Sequence, residues 1–133
     1  MKKDEIRTAL DALRKIKMPK IEDKDFRNLL IDLHYNLYKL GKKVDADIEA
    51  LRAAHLASYE DDIAKMKGLP EPGTELFEAI TGYDKALNAL LAEDVEIPAI
   101  DGDKFVSEYR KQDYDASVVE GLFPLFDTES HED

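Results

Sequence analysis

The residues of this chain with chemistry to offer are three histidines, two short acidic runs and a set of tyrosines that includes two beside cations. His34 lies next to an apolar helical stripe, His55 lies on it, and His131 stands near the C-terminal end. None belongs to an HExxH or HxH arrangement, so no metal site is expected. The acidic runs Glu60-Asp61-Asp62 and Asp101-Gly102-Asp103 lack the alternating ligands and closing glutamate of a calcium loop, and read as solvated turns. With no cysteine there is no disulfide, no thiolate zinc site and no cysteine nucleophile. Glycine-rich phosphate loops and nucleophile elbows are absent too. The expectation is a protein that is not an enzyme and carries no cofactor.

The aromatic residues offer contact instead. Tyr35 and Tyr38 flank the stripe of a long helix, and Tyr109 and Tyr114 lie near Arg110 and Lys111. Tyrosine and arginine are enriched in protein interfaces. The same residues would suit stacking on a nucleobase, with Arg110 and Lys111 near its phosphate. Close to the C-terminal end, VVEGLFPLFD crowds Val118, Val119, Leu122, Phe123, Leu125 and Phe126 together, and Pro124 prevents a long helix. That segment must pack on its own core or dock in a neighbouring groove. Phe123 and Phe126 therefore join the four tyrosines and two cations as candidate partner- or ligand-binding residues.

Charge narrows the choice of partner. The 133 residues carry a net charge of −11. It is spread unevenly, at +4 over residues 1–20, −2 over 21–67 and −13 over 68–133. A chain this acidic is a poor general ligand for nucleic acid. Its basic and acidic ends can attract each other within one subunit or head to tail between subunits. No apolar run approaches the roughly 20 residues that span a bilayer, so no membrane role is expected. MKKDEIRTAL has no apolar signal core, so export is not expected either.

These residues are positioned by helices. Ile6, Ala9, Leu10, Leu13 and Ile16 mark one face of a first helix over 4–16, started by Asp4 and ended before Pro19. A much longer stripe runs from Phe26 through Leu30, Leu33, Leu37 and Val44 to Ile63 and Met66. It predicts a helix over 24–67, capped by Asp23 or Asp25, with Gly41 as its weak point. Unbroken, it makes a rod of about 65 Å. That exceeds a compact domain of this size, so either it breaks near Gly41 or the protein is elongated and homo-oligomeric; the second is expected. Thr74 predicts the cap of a further helix over 75–93, and shorter helices are expected over 103–112 and from Ser117. The fold expected is mainly α, one helical domain over 1–127 with a long amphipathic spine, followed by a frayed acidic tail over 128–133.

Two stretches resemble each other: ALDALRKIKMPKIEDKDF at 9–26 and ALNALLAEDVEIPAIDGDKF at 86–105. Pro19 aligns with Pro98, Ile21 with Ile100 and Phe26 with Phe105. Side by side, residues 17–21 and 95–100 would make a small two-stranded ribbon. That ribbon would gather Lys17, Lys20, Arg110 and Lys111 into a wall able to hold a small nucleotide.

The order of these features, KMPKI before a long charged helix, then LLAEDVEIPAI, then a short ending in PLFD, resembles short accessory proteins encoded by tailed bacteriophages and prophages. The resemblance implies a viral protein of the bacterial host cytoplasm that works by binding, in particle assembly or against host defence. The expected function is docking on a host or viral protein. The alternative is an oligomeric sponge for a small nucleotide immune signal, and a small enzyme is a third.

Overall fold

Asp23 starts the long helix. Its carboxylate accepts the Phe26 N–H at 2.9 Å and its carbonyl accepts the Arg27 N–H at 2.9 Å, which satisfies donors the first turn leaves free. In the computed structural model, which describes residues 1–127, helix α2 then runs without a break over Lys24–Leu56. At 33 residues it is about 50 Å long. It passes through Gly41 as helix. A 3-10 turn at Ala57–Tyr59 interrupts the α-helical winding, and a short helix α3, Glu60–Ala64, follows. The fold is mainly helical, with shorter helices packed on this long one and a small two-stranded sheet.

The chain forms two compact units: Met1–Gly41 together with the stretch from Asp94 onward, and Lys42–Glu93 between them. In the first unit, α1 (Ile6–Arg14) buries Ile6, Ala9, Leu10 and Leu13, as its apolar spacing predicts. Phe26, Leu30, Leu33 and Leu37 of α2 are buried on the opposing side. Gly41 permits a close approach here, since a Cβ on it would lie 3.3 Å from Leu10 Cδ1. The core is completed by α5 (Gly102–Tyr109), which buries Phe105 and Tyr109, and α6 (Ala116–Gly121), which buries Val118 and Val119. Gly121 sits so near α1 that a Cβ on it would meet Ala12 Cβ at 3.0 Å. Leu122 and Leu125, beyond α6, are also buried, so much of the apolar C-terminal segment packs on its own core.

The small sheet is real but its partners differ from the expected ones. Strand β1 (Ile100–Asp101) pairs in parallel with β2 (Phe126–Asp127), Ile100 opposite Phe126 and Asp101 opposite Asp127. At its other end the same segment meets the N-terminus: the Val95 N–H donates to Met1 O at 2.9 Å, and Lys2 bridges antiparallel to Asp94. Residues 17–21 do not pair with 95–100. Met18–Lys20 is a 3-10 turn, so the Lys20 and Ile21 N–H groups are spent on Lys17 O and Met18 O, and Pro19 has none to give.

In the second unit, Val44 and Leu56 of α2 are buried. Helix α4 (Glu75–Leu91) begins at Thr74, whose hydroxyl oxygen accepts the Phe77 N–H at 3.2 Å, as the sequence predicts. The preceding turn holds Gly73 at φ 90°, a left-handed conformation that glycine adopts without strain. Along α4, Leu76, Phe77, Ile80, Leu87 and Leu90 are half-buried. His55 packs close to Gly82 of that helix, where a Cβ would lie 3.4 Å from His55 Nδ1.

Candidate functional site

Helix α2 is amphipathic on three sides in the first unit. Its buried side carries Phe26, Leu30, Leu33 and Leu37. On another side, Ile31, Tyr35 and Tyr38 recur at helical spacing and face solvent, Tyr35 at 61% exposure. The Lys39 ammonium lies 4.7 Å from the centre of the Tyr35 ring, a cation–π contact that holds the ring in place. Between these two sides lies a groove of about 360 Å³. Its floor is apolar: Leu29 and Leu33 of α2, with Pro98 and Ile100 of the segment leading into β1. Its rim is polar: Asp25, Asn28, Asp32 and Asn36, at i, i+3, i+7 and i+11 along α2. Among the described residues no cation lines it.

The other candidate aromatics form a continuous run of ring contacts. Tyr114 lies 5.7 Å from Tyr109, Tyr109 stacks on Phe105 at 5.4 Å, Phe105 meets Phe126 at 5.5 Å, and Phe126 meets Phe123 at 6.0 Å. The ends of the run, Tyr114 and Phe123, are exposed, and Phe126 is half-buried. Tyr109 is buried at the centre, and its hydroxyl oxygen accepts the Asp115 N–H at 3.2 Å. Burial pushes that hydroxyl above its ordinary pKa. Tyr109 is therefore a core residue and offers no surface to a partner.

Two of the four cations expected to gather around a nucleotide, Lys111 and Lys17, have carboxylates beside them. Lys111 Nζ lies 2.6 Å from a Glu108 oxygen and 3.2 Å from a Glu22 oxygen, and Lys17 Nζ is 3.8 Å from Asp113. Arg110 and Lys20 are exposed. The Glu108 carboxylate, almost wholly buried, also accepts the Asp23 N–H. Its bond with Lys111, then that with the Asp23 N–H, hold it below the usual carboxylate range. Beside it Lys104 binds Asp23 at 2.8 Å, lowering the Asp23 pKa and raising that of Lys104. This network fastens α5 to the start of α2. It neutralises the charge of Lys111 locally, through Glu108 and Glu22.

Among the described residues no group of three or more histidine or acidic side chains could hold a metal ion. None of the described helices is long and apolar enough to cross a membrane. His131 and the acidic tail lie outside the described residues.

The groove residues were not singled out by the sequence reading, yet they leave a signal. Asn28 and Asn36 stand past the first turn of a long helix, where asparagine is a weak helix former, and the usual solvated face would carry Lys and Glu. The contribution of Pro98 and Ile100 is invisible without the fold.

Comparison with protein-family models, curated proteins and solved structures finds no match for this chain.

Proposed function

We propose that this protein is a non-catalytic binding protein that docks on another protein through the first half of α2. The observation that carries the reading is the exposed row Ile31, Tyr35 and Tyr38, on a different side from that already filled by Leu30, Leu33 and Leu37. The helix needs one apolar side to fold and has two. Exposed aromatic and aliphatic residues at helical spacing suit a partner's surface. The net charge of −11 favours a basic partner, and steers its approach in a salt-dependent way. This agrees with the resemblance to phage accessory proteins, whose work is binding.

The nucleotide-sponge alternative is less well supported. It needs unpaired cations around a cavity, whereas Lys111 is bonded to Glu22 and Glu108, and the groove on α2 is rimmed by Asp25 and Asp32.

Affinity capture from a bacterial host extract tests the docking reading. The immobilised chain is expected to retain a basic protein at low salt and to lose it as salt rises. The variant Tyr35→Ser/Tyr38→Ser, folded by circular dichroism, is expected to retain none. Capture that ignores both salt and this variant overturns the reading. A thermal shift with cyclic dinucleotides or ADP-ribose derivatives at micromolar levels would favour the sponge instead.

A further inference from the structure

The groove beside the aromatic row has a shape and a chemistry of its own. Its floor of Leu29, Leu33, Pro98 and Ile100 is apolar, and its rim on α2 presents two carboxylates and two carboxamides. Asp25 and Asp32 are seven residues apart, about 10 Å along the helix axis. Among the described residues, no hydrogen bond or ion pair engages the side chains of Asp25, Asn28, Asp32 or Asn36. A ligand that satisfies both surfaces at once needs a methylene body and a cationic head. Lysine and arginine side chains are built this way, burying the stem along apolar surface and keeping the charge among polar groups. The volume, about 360 Å³, suits one or two such side chains and little more.

We infer that the groove is the pocket in which α2 takes lysine or arginine side chains of its protein partner, the stem against Leu29 and Pro98 and the charge between Asp25 and Asp32. The inference rests on the docking reading and sharpens it. The exposed row Ile31, Tyr35 and Tyr38 gives contact area, and the groove selects for basic residues. The carboxamides of Asn28 and Asn36 accept the remaining N–H groups through their carbonyl oxygens. A phosphate-bearing ligand is disfavoured by the same carboxylates.

The probe is a fluorescein-labelled peptide of alternating lysine and alanine, ten residues long, read by anisotropy at low salt. The wild-type chain is expected to bind it, and a glutamate-alanine peptide not at all. The D25N/D32N variant is expected to bind at least tenfold more weakly. The D61N/D62N variant, which removes the same charge outside the groove, is expected to stay within about threefold of wild type. Equal loss in both variants means bulk charge alone attracts the peptide, and overturns the groove while leaving the docking reading intact. The same holds if the wild type ignores the peptide yet still captures a partner protein through Tyr35 and Tyr38. Absence of both peptide binding and capture defeats the docking reading itself. Spermidine competing as tightly as the peptide overturns the partner assignment in favour of a free polyamine. A homodimer that dissociates only in D25N/D32N, read by sedimentation, overturns it in favour of a second copy.

Discussion

Gln112 holds Lys17 by both ends of its carboxamide. The Lys17 N–H donates to Gln112 Oε1 at 2.9 Å, and Gln112 Nε2 donates to Lys17 O at 3.3 Å. A side chain thus does for Lys17 what a neighbouring strand would do, in the segment where the sequence predicts a ribbon. Gln112 is buried, so its end of the pair is withdrawn from water. Gln112→Met keeps the volume and removes both bonds. It is expected to cost about 1–2 kcal/mol in urea unfolding and to speed amide exchange at Lys17. Unchanged exchange at Lys17 would show that another group restrains it.

The network around Asp23 sets a pH response. Asp23 and Glu108 have folded pKa values below those of an unfolded chain. Their contribution is therefore complete above the ordinary carboxylate range, near pH 4, and is lost as pH falls through the lower folded values. Lys104 and Lys111 are shifted upward, so theirs is lost only at strongly alkaline pH. Thermal midpoints are expected to hold from pH 6 to 8 and to drop below about pH 4. In Glu108→Gln the acid-side drop is expected to be smaller and the neutral-pH midpoint lower. An identical acid profile in that variant would remove Glu108 from the account.

Two glycines give a paired test of packing. Gly121→Ala places a methyl group 3.0 Å from Ala12 Cβ and 3.3 Å from Thr8 O, between α6 and α1. Overpacking of this kind costs about 1–3 kcal/mol. Gly68→Ala meets nothing within 4 Å. It is expected to be neutral or to stabilise by up to about 1 kcal/mol through the unfolded chain. Equal effects in chemical denaturation would contradict the close approach of α1 and α6.

The two apolar sides of α2 separate stability from binding. Leu37→Ala, on the filled side, is expected to cost about 2–5 kcal/mol. Tyr35→Ala, on the open side, is expected to stay within about 0.5 kcal/mol in stability. It should nevertheless weaken partner capture. A large stability loss at Tyr35 would mean that its exposed side is already occupied in solution.

Much of the helical frame is legible in the sequence because its signals are local. Thr74 caps the helix it was expected to cap, Asp23 of the two candidates Asp23 and Asp25 caps α2, and the spacing of Ile6, Leu10 and Leu13 gives the buried side of α1. The likeness between 9–26 and 86–105 also has structural content: Ile21 and Ile100 are both buried, and each precedes a capped helix with a buried phenylalanine, Phe26 or Phe105. What fails is long-range pairing. Proline at 19 and at 98 makes both stretches look extended, but nothing local says that one closes into a turn while the other joins Phe126. Capping by Asp115 in place of Ser117 is a smaller error of the same sort, since either side chain could serve. Tyr109 reads as a contact residue until it is known to be buried with Phe105 and Tyr114 against its ring.

The first unit is written in two instalments, with Lys42–Glu93 inserted between them. Helix α1 is synthesised about a hundred residues before the α6 surface that covers it, and Leu122 and Leu125 follow α6. Until then Ile6, Leu10 and Leu13 lack the cover that α6 provides. Nascent chains halted before residue 116 should accordingly be open to protease attack near α1, and chains that have cleared residue 127 should resist it.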